Sequence, residues 1–193
     1  MKRPQQDTQV RCAWVTQDPL YIDYHDHEWG VPLYDDQLLF EFLLLEGAQA
    51  GLNWLTVLKK RENYRLCFDG FNADKMARYS NDKIKALIAD ARIIRNKLKI
   101  VSAIENAKAY LHIREKQGSF KEYIWQFVEG KPIKNHWESH KHVPCRTPLS
   151  DNMSKDLKSR GFKFVGSTIC YAYMQAVGMV NDHVMSCFRY AHS

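Results

Sequence analysis

His183 and Cys187 stand four positions apart near the end of the chain. On a helix that spacing puts both side chains on one face, one turn apart, where they can bite a single metal ion. Cys12 and His25, near the other end, would complete a Cys2His2 set with no open position. Cys12 and His25 are too widely spaced for a compact finger. The C-terminal pair also has a plainer reading, as a satisfied core histidine and a buried small hydrophobe. If the ion is zinc, four protein ligands make it structural. It would staple the N-terminal arm to a C-terminal helix, a contribution of roughly 10–16 kcal/mol in small zinc peptides.

A second group is aromatic. Trp14, Tyr21, Tyr24 and Trp29 lie close together, and Trp54 follows the first long helical stretch. Such density in an irregular segment serves core packing or a stacking pocket for a flat ring. Glu46 ends a run that is apolar nearly all round, so its carboxylate is placed to face a cavity rather than water. A carboxylate among aromatic rings suits a cationic planar ligand, through charge pairing and a cation–π contact of roughly 2 kcal/mol when desolvated. A third group is the break at Ala91 to Arg95. A tight turn into a helix N-terminus exposes amides that bind phosphate. Arg92, Arg95, Lys97 and Lys99 would add the salt-dependent part of nucleic-acid binding.

These residues must be positioned by helices. From Asp35 the pattern is helical, with Leu38, Leu39, Phe42, Leu43 and Leu45 predicting a central buried helix that ends near Gly47 and Gly51. Trp54, Leu55, Leu58 and Tyr64 predict a second. Asn72 and Asn81 are N-cap candidates for two short helices, the later one ending near Asp90. A long helix is predicted from about Asn96 to Lys116, with Leu98, Val101, Ile104, Ala107 and Leu111 as its apolar stripe. Ser119 and Glu122 form a candidate capping box for the next helix. Residues 130–148 hold three of the six prolines and read as a solvated loop without a motif. Helices are predicted over 149–160, 165–177 and 183–187, residues 1–33 read as irregular, and no period-2 strand stands out. The class is all-α.

Composition bounds the rest. The 193 residues carry 28 Lys+Arg against 22 Asp+Glu, a net +6. The five Trp, ten Tyr and nine Phe exclude a disordered chain. Between Asp18 and Glu46 there are eight acidic residues and no Lys or Arg, whereas Asn81 to Glu122 carries ten basic and five acidic. Such a basic run is either a solvated helix face or a polyanion-binding surface. No secretory h-region opens the chain and no apolar run approaches the length of a membrane span. Five widely spaced cysteines argue against a disulfide scaffold and for a reducing, cytoplasmic setting.

Three long stretches carry a resemblance: RCAWVTQDPLYIDYHDHEWG (11–30), LEGAQAGLNWLTVLKKRENYR (45–65) and RGFKFVGSTICYAYMQAVGMVNDHV (160–184), together with Cys187. From about Arg11 to Cys187 the chain resembles the 3-methyladenine DNA glycosylase I family of bacterial base-excision enzymes. The resemblance implies one structural zinc on Cys12, His25, His183 and Cys187, and a base pocket of Trp14, Tyr21, Tyr24, Trp29, Glu46 and Trp54. It implies a helix-hairpin-helix glycosylase fold. One catalytic domain would span 1–193, with the helix-hairpin-helix lobe at about 60–125 and the N- and C-terminal segments joined by zinc. The hairpin falls at about Ala91 to Lys97, with Arg92, Arg95 and Lys97 toward DNA. The Gly51-Leu52 turn would approach the gap left by an extruded nucleotide. Arg92 and Leu98 stand where the hairpin often has glycine, and Ala172 where some relatives have a small polar pocket residue.

The implied activity is monofunctional hydrolysis of the N-glycosidic bond of 3-methyladenine, with 3-methylguanine a further candidate substrate. It acts on alkylated double-stranded DNA and is carried out by a monomer with no membrane partner. Two rival classes compete. A zinc nucleobase deaminase needs an open metal position and a P-C-x-x-C arrangement, which this chain lacks. A non-catalytic zinc protein that binds DNA or lesions would use the basic hairpin and the zinc, but not the carboxylate among aromatics.

Overall fold

The computed structural model describes residues 9–192. Its ten α-helices are α1 (Pro19–His27), α2 (Asp36–Gln49), α3 (Trp54–Leu58), α4 (Arg61–Cys67), α5 (Ala73–Met76), α6 (Asn81–Ala89), α7 (Lys97–Gln117), α8 (Phe120–Trp125), α9 (Pro148–Ser159) and α10 (Ser167–Ala176). The only strands among the described residues are β1 (Ile133–Lys134) and β2 (Val180–Asn181), a short parallel pair. No described helix is long and apolar enough to cross a membrane.

Helix α2 runs through the middle and packs against α10, α7, α8 and α3. Every residue from Leu39 to Ala48 is buried, Glu41 and Glu46 included. Burial on all sides explains why the segment is apolar all round instead of amphipathic. Leu38 alone of its predicted core leucines reaches solvent. The two aspartates at the start of the helix divide the capping work. Asp35 accepts from the Leu38 amide at the start of α2. Asp36 turns to α8 and accepts from the Phe120 amide at 3.0 Å, the Lys121 amide at 2.8 Å and the Ser119 hydroxyl at 3.1 Å. Ser119 accepts from the Glu122 amide, so α8 is capped by two residues, one of them distant in sequence.

Several predicted elements differ. The segment read as irregular holds α1, which starts where Asp18 caps the Leu20 amide and Pro19 occupies the first turn. Asp-Pro ahead of an aromatic run is a helix start in its own right. Ser80, not Asn81, caps α6, by accepting from the Lys83 amide. The helix expected from Trp54 to Tyr64 is two, α3 and α4, broken at Lys59–Lys60. The stripe of α7 is rotated. Leu98 is 71% exposed and Val101 36%, while Ile100, Ala103, Ile104, Ala107, Tyr110 and Ile113 face the core. Both stripes share Ile104 and Ala107, so helical periodicity alone permits either; packing against α5, α8 and α2 selects one.

The predicted helix over His183–Cys187 is absent. Its backbone is committed elsewhere: just after the β2 residue Asn181, the Met185 amide donates to the Trp137 carbonyl and the Cys187 amide closes a turn onto Val184. Upstream, the Gly30 and Leu33 amides donate to the Gln175 and Val177 carbonyls and strap the N-terminal segment across the end of α10. Gly178 permits that strap, because a Cβ there would fall 2.3 Å from the Val31 carbonyl carbon.

Asp36→Ala should lower stability by about 1–3 kcal/mol, since one truncation leaves two amides and a hydroxyl without their acceptor. Urea unfolding checks this.

Candidate active site

The structure brings Cys12, His25, His183 and Cys187 into one fully buried cluster. Their ligand atoms all lie within 4.8 Å of one another. Cys12 Sγ and Cys187 Sγ are each 3.5 Å from His183 Nδ1, and Cys187 Sγ is 3.5 Å from His25 Nε2. A tetrahedral ion with ordinary zinc–sulfur and zinc–nitrogen bonds gives sulfur–nitrogen edges of about 3.6 Å. The other ring nitrogens are engaged. His25 Nδ1 donates to Asp26 Oδ1 at 2.7 Å and His183 Nε2 donates to the Trp29 carbonyl at 3.1 Å. A carboxylate and a carbonyl only accept, so each ring carries its proton there and turns a lone pair into the cluster. Arg11 grips Asp26 at 2.6 Å and completes the outer layer. Cys12 hydrogen-bonds Cys187, which pulls the Cys187 thiol far below its ordinary range and raises that of Cys12. The donor set, its size and its supports fit a closed four-ligand metal site.

Beside this cluster, Trp14, Tyr21, Tyr24, Trp29, Glu46 and Trp54 line a single cleft of about 160 Å³, and Tyr24, Trp29 and Trp54 are buried in the core as well, so the aromatics serve both packing and a cleft. The same segment supplies both features. Trp14 lies 5.2 Å from the His25 ring, and Trp29 lies 4.6 Å from the His183 ring. Trp14 also packs at 5.0 Å against both Tyr21 and Trp29, and Tyr24 at 5.4 Å against Trp54. Helix α2 drives Glu46 into the cleft, where it is 4% exposed and its Oε2 has no hydrogen-bond partner. Burial pushes its carboxyl up to about 8. Trp54 Nε1, also buried, has no acceptor. An unpaired acceptor and an unpaired donor on the wall of one cleft are groups that a ligand would satisfy. Burial, with a smaller push from Glu46, raises the Tyr21 and Tyr24 hydroxyls, so both stay neutral donors.

The cleft holds residues that sequence reasoning missed. Gln49, His140 and Gln175 line it, beside Ala172. Gln49 lies one turn beyond Glu46 on the buried helix, a signal that was available. His140 and Gln175 carried none. An adjoining cavity of about 180 Å³ shares Glu46, Gln49 and Ala172 and extends to Gly51 and Leu52. Gly51 takes a positive φ of 77° and Leu52 is 43% exposed, so the turn presents an apolar side chain to solvent next to the cleft.

The third predicted group is a turn joining α6 to α7, as expected, but its charges are not all free. Arg92 pairs with Asp90 at 2.7 Å and holds that carboxyl well below its usual range. Lys99 turns inward and donates to the Ala48 and Ala50 carbonyls at 2.7 and 2.6 Å, capping the end of α2. Burial lowers its ammonium. Of the four basic residues, Arg95 and Lys97 are exposed and make no ion pair among the described residues. The amides of Arg92 and Ile94 donate to Asp90 and to the Tyr64 hydroxyl, and so are not open to phosphate. Lys60 Nζ donates to the Ala91 and Arg92 carbonyls at 3.1 Å and fixes the turn from outside.

A family model described as methyladenine glycosylase matches residues 14–190. The chain belongs to that family. It is 52% identical over 180 residues to the DNA-3-methyladenine glycosylase 1 of Escherichia coli (strain K12), spanning 93% of this chain and 96% of the relative. The fold is similar to a crystal structure of a 3-methyladenine DNA glycosylase I, with a TM-score of 0.91, 51% identity and coverage of 93% and 98% of the two chains. It is also similar, at a TM-score of 0.90, to a 3-methyladenine DNA glycosylase I from Staphylococcus aureus solved to explain 3-methyladenine recognition. That pair is 37% identical over 94% of this chain and 97% of the other.

The raised carboxyl of Glu46 makes its own contribution to stability fall as pH rises. Folding raises Glu46 from 4.5 to about 8. Its contribution favours the folded state below the unfolded value and is lost as pH climbs through the folded one. Glu46→Gln keeps the shape and stays neutral. It should match the parent near pH 5 and exceed it at pH 8 by an amount on the order of a few kcal/mol. Denaturant titrations at several pH values measure the gap.

Proposed function

We propose that this chain is a monofunctional DNA glycosylase that removes 3-methyladenine from alkylated double-stranded DNA. The observation that carries the reading is Glu46, a buried carboxylate with a free oxygen inside an aromatic cleft. Its relatives are named for the same activity.

N3-alkylation makes the nucleoside cationic, so the base departs without a strong general acid. The protein's tasks are to extrude the nucleotide, hold the base and favour cleavage. Extrusion costs a few kcal/mol, less for a damaged base. Trp14 and Trp54 sandwich the base, with Tyr21 and Trp29 closing the sides. Glu46 accepts hydrogen bonds from the adenine edge, helped by Tyr24. Neutral adenine gains less from a carboxylate, which gives selectivity. The glycosidic bond breaks with its electron pair going to the base, and water adds to C1′ of the oxocarbenium-like sugar and releases a proton. No lysine lines the cleft, in keeping with hydrolysis rather than Schiff-base chemistry.

Cys12, His25, His183 and Cys187 would hold one structural zinc. When bound, it supplies charge neutralisation for two buried thiolates and a cross-link between the chain's ends. The turn between α6 and α7 acts as the helix-hairpin-helix element of a lobe spanning about 60–125, within a single catalytic domain over 1–193. Arg95 and Lys97 contact phosphates, Arg92 does so only by leaving Asp90, and Leu52 on the Gly51 turn fills the gap left in the duplex. The protein works as a cytoplasmic monomer.

DNA treated with a methylating agent should release mainly 3-methyladenine on incubation with the protein, with 7-methylguanine left in place, as read by chromatography. Glu46→Gln should fold and lose activity by about 10²-fold or more. The parent's kcat/KM should rise with pH and level off above about 8, where free Glu46 is ionised. Binding of methylated DNA without base release would favour a lesion-binding protein instead. Elemental analysis should find one zinc per chain, and Cys187→Ser should lose it together with much of the thermal stability.

A further inference from the structure

His140 lines the same cleft as Glu46, yet base recognition and cleavage give it no task. It stands between α8 and α9 in a short helical turn, His140–His142. The loop around it is pinned. Ile133 and Lys134 pair with Val180 and Asn181. Asn135 Nδ2 and Trp137 Nε1 each donate to Asp182 Oδ1 at 2.7 Å, and the Met185 amide donates to the Trp137 carbonyl. Ser139 caps the turn by accepting from the Lys141 amide. The other oxygen of Asp182 accepts from the Tyr171 hydroxyl and from Gln175 Nε2, both at 2.7 Å, and Gln175 is itself a wall of the cleft. One fully buried carboxylate thus fixes both Gln175 and the loop that carries His140.

Depth separates the roles. Glu46 lies at the floor, 4% exposed, and His140 is exposed at the mouth. A base that reaches Glu46 leaves its deoxyribose and two phosphodiesters at the mouth. An imidazole offers an N–H to a phosphate oxygen in either protonation state. Lys141 and His142 beside it are also exposed.

We propose that His140 binds a phosphodiester flanking the extruded nucleotide and holds the sugar–phosphate at the mouth while the base occupies the cleft. The inference rests on the base-excision reading. Its test compares the parent, His140→Ala and His140→Gln on methylated duplex DNA and, separately, on free 3-methyladenine by tryptophan fluorescence. His140→Ala should raise KM for DNA by about two- to tenfold, the loss of one hydrogen bond. It should leave kcat and the affinity for the free base unchanged, and His140→Gln, which keeps an N–H donor, should recover part of the loss. An unchanged KM in an active His140→Ala overturns the phosphate contact alone. An equal loss of free-base affinity also overturns it and puts His140 on the base. A parent that releases no base overturns the base-excision reading along with it.

Discussion

Four polar side chains from opposite ends of the chain are buried together, and that constraint organises the rest. Cys12 and His25 come from the N-terminal segment, and His183 and Cys187 from the C-terminal one. Imidazoles are costly to bury unless their nitrogens are satisfied, and here each ring gives its N–H to Asp26 or Trp29 and turns the other nitrogen to the two cysteines. Their meeting therefore fixes where the N-terminal arm can lie. Because Trp14 follows Cys12 by two residues and Tyr24 precedes His25 by one, fixing the cluster also fixes the cleft wall. The strap onto the end of α10 and the close approach at Gly178 serve the same docking.

The opposite wall is set by α2, which holds a carboxylate where water does not solvate it. Glu41 shares its depth but is neutralised by Arg65 at 2.7 Å. Glu46 has no such cation, and burial alone raises its carboxyl. The contrast between two glutamates of one helix separates a structural ion pair from a group kept unsatisfied. A buried, unpaired polar group costs stability and is retained where a ligand completes it. Lys99 adds to the arrangement from below by anchoring the carbonyls at the end of α2, so the helix end beyond Glu46 is held firmly.

Much of the site was legible because its residue types are unusual. Cys and His in a closing set, tryptophans and tyrosines crowded into one short segment, and an acid inside an apolar run each leave a mark in the sequence. The resemblance to a glycosylase family joined them. His140, Gln175 and Asp182 left none, since their roles come from a loop pinned to a distant segment through Asp182. Arg92 and Lys99 read as free positive charges, and only their partners Asp90, Ala48 and Ala50 revealed otherwise.

Local chemistry in the chain determined the helical class and most helix starts and stops, and with the family resemblance it marked out the four cluster residues and the aromatic and Glu46 walls of the cleft, but not Gln49, His140 or Gln175. Capping, periodicity and side-chain type act over a few residues and are written in order along the chain. Tertiary structure decided which face of α7 is buried, that His183–Cys187 forms a turn rather than a helix, and which basic side chains remain free. Each of those depends on a competitor supplied from elsewhere in the fold. A helix with two apolar stripes, a backbone amide claimed by a loop carbonyl and a lysine claimed by carbonyls take their final state from contacts that no local pattern encodes.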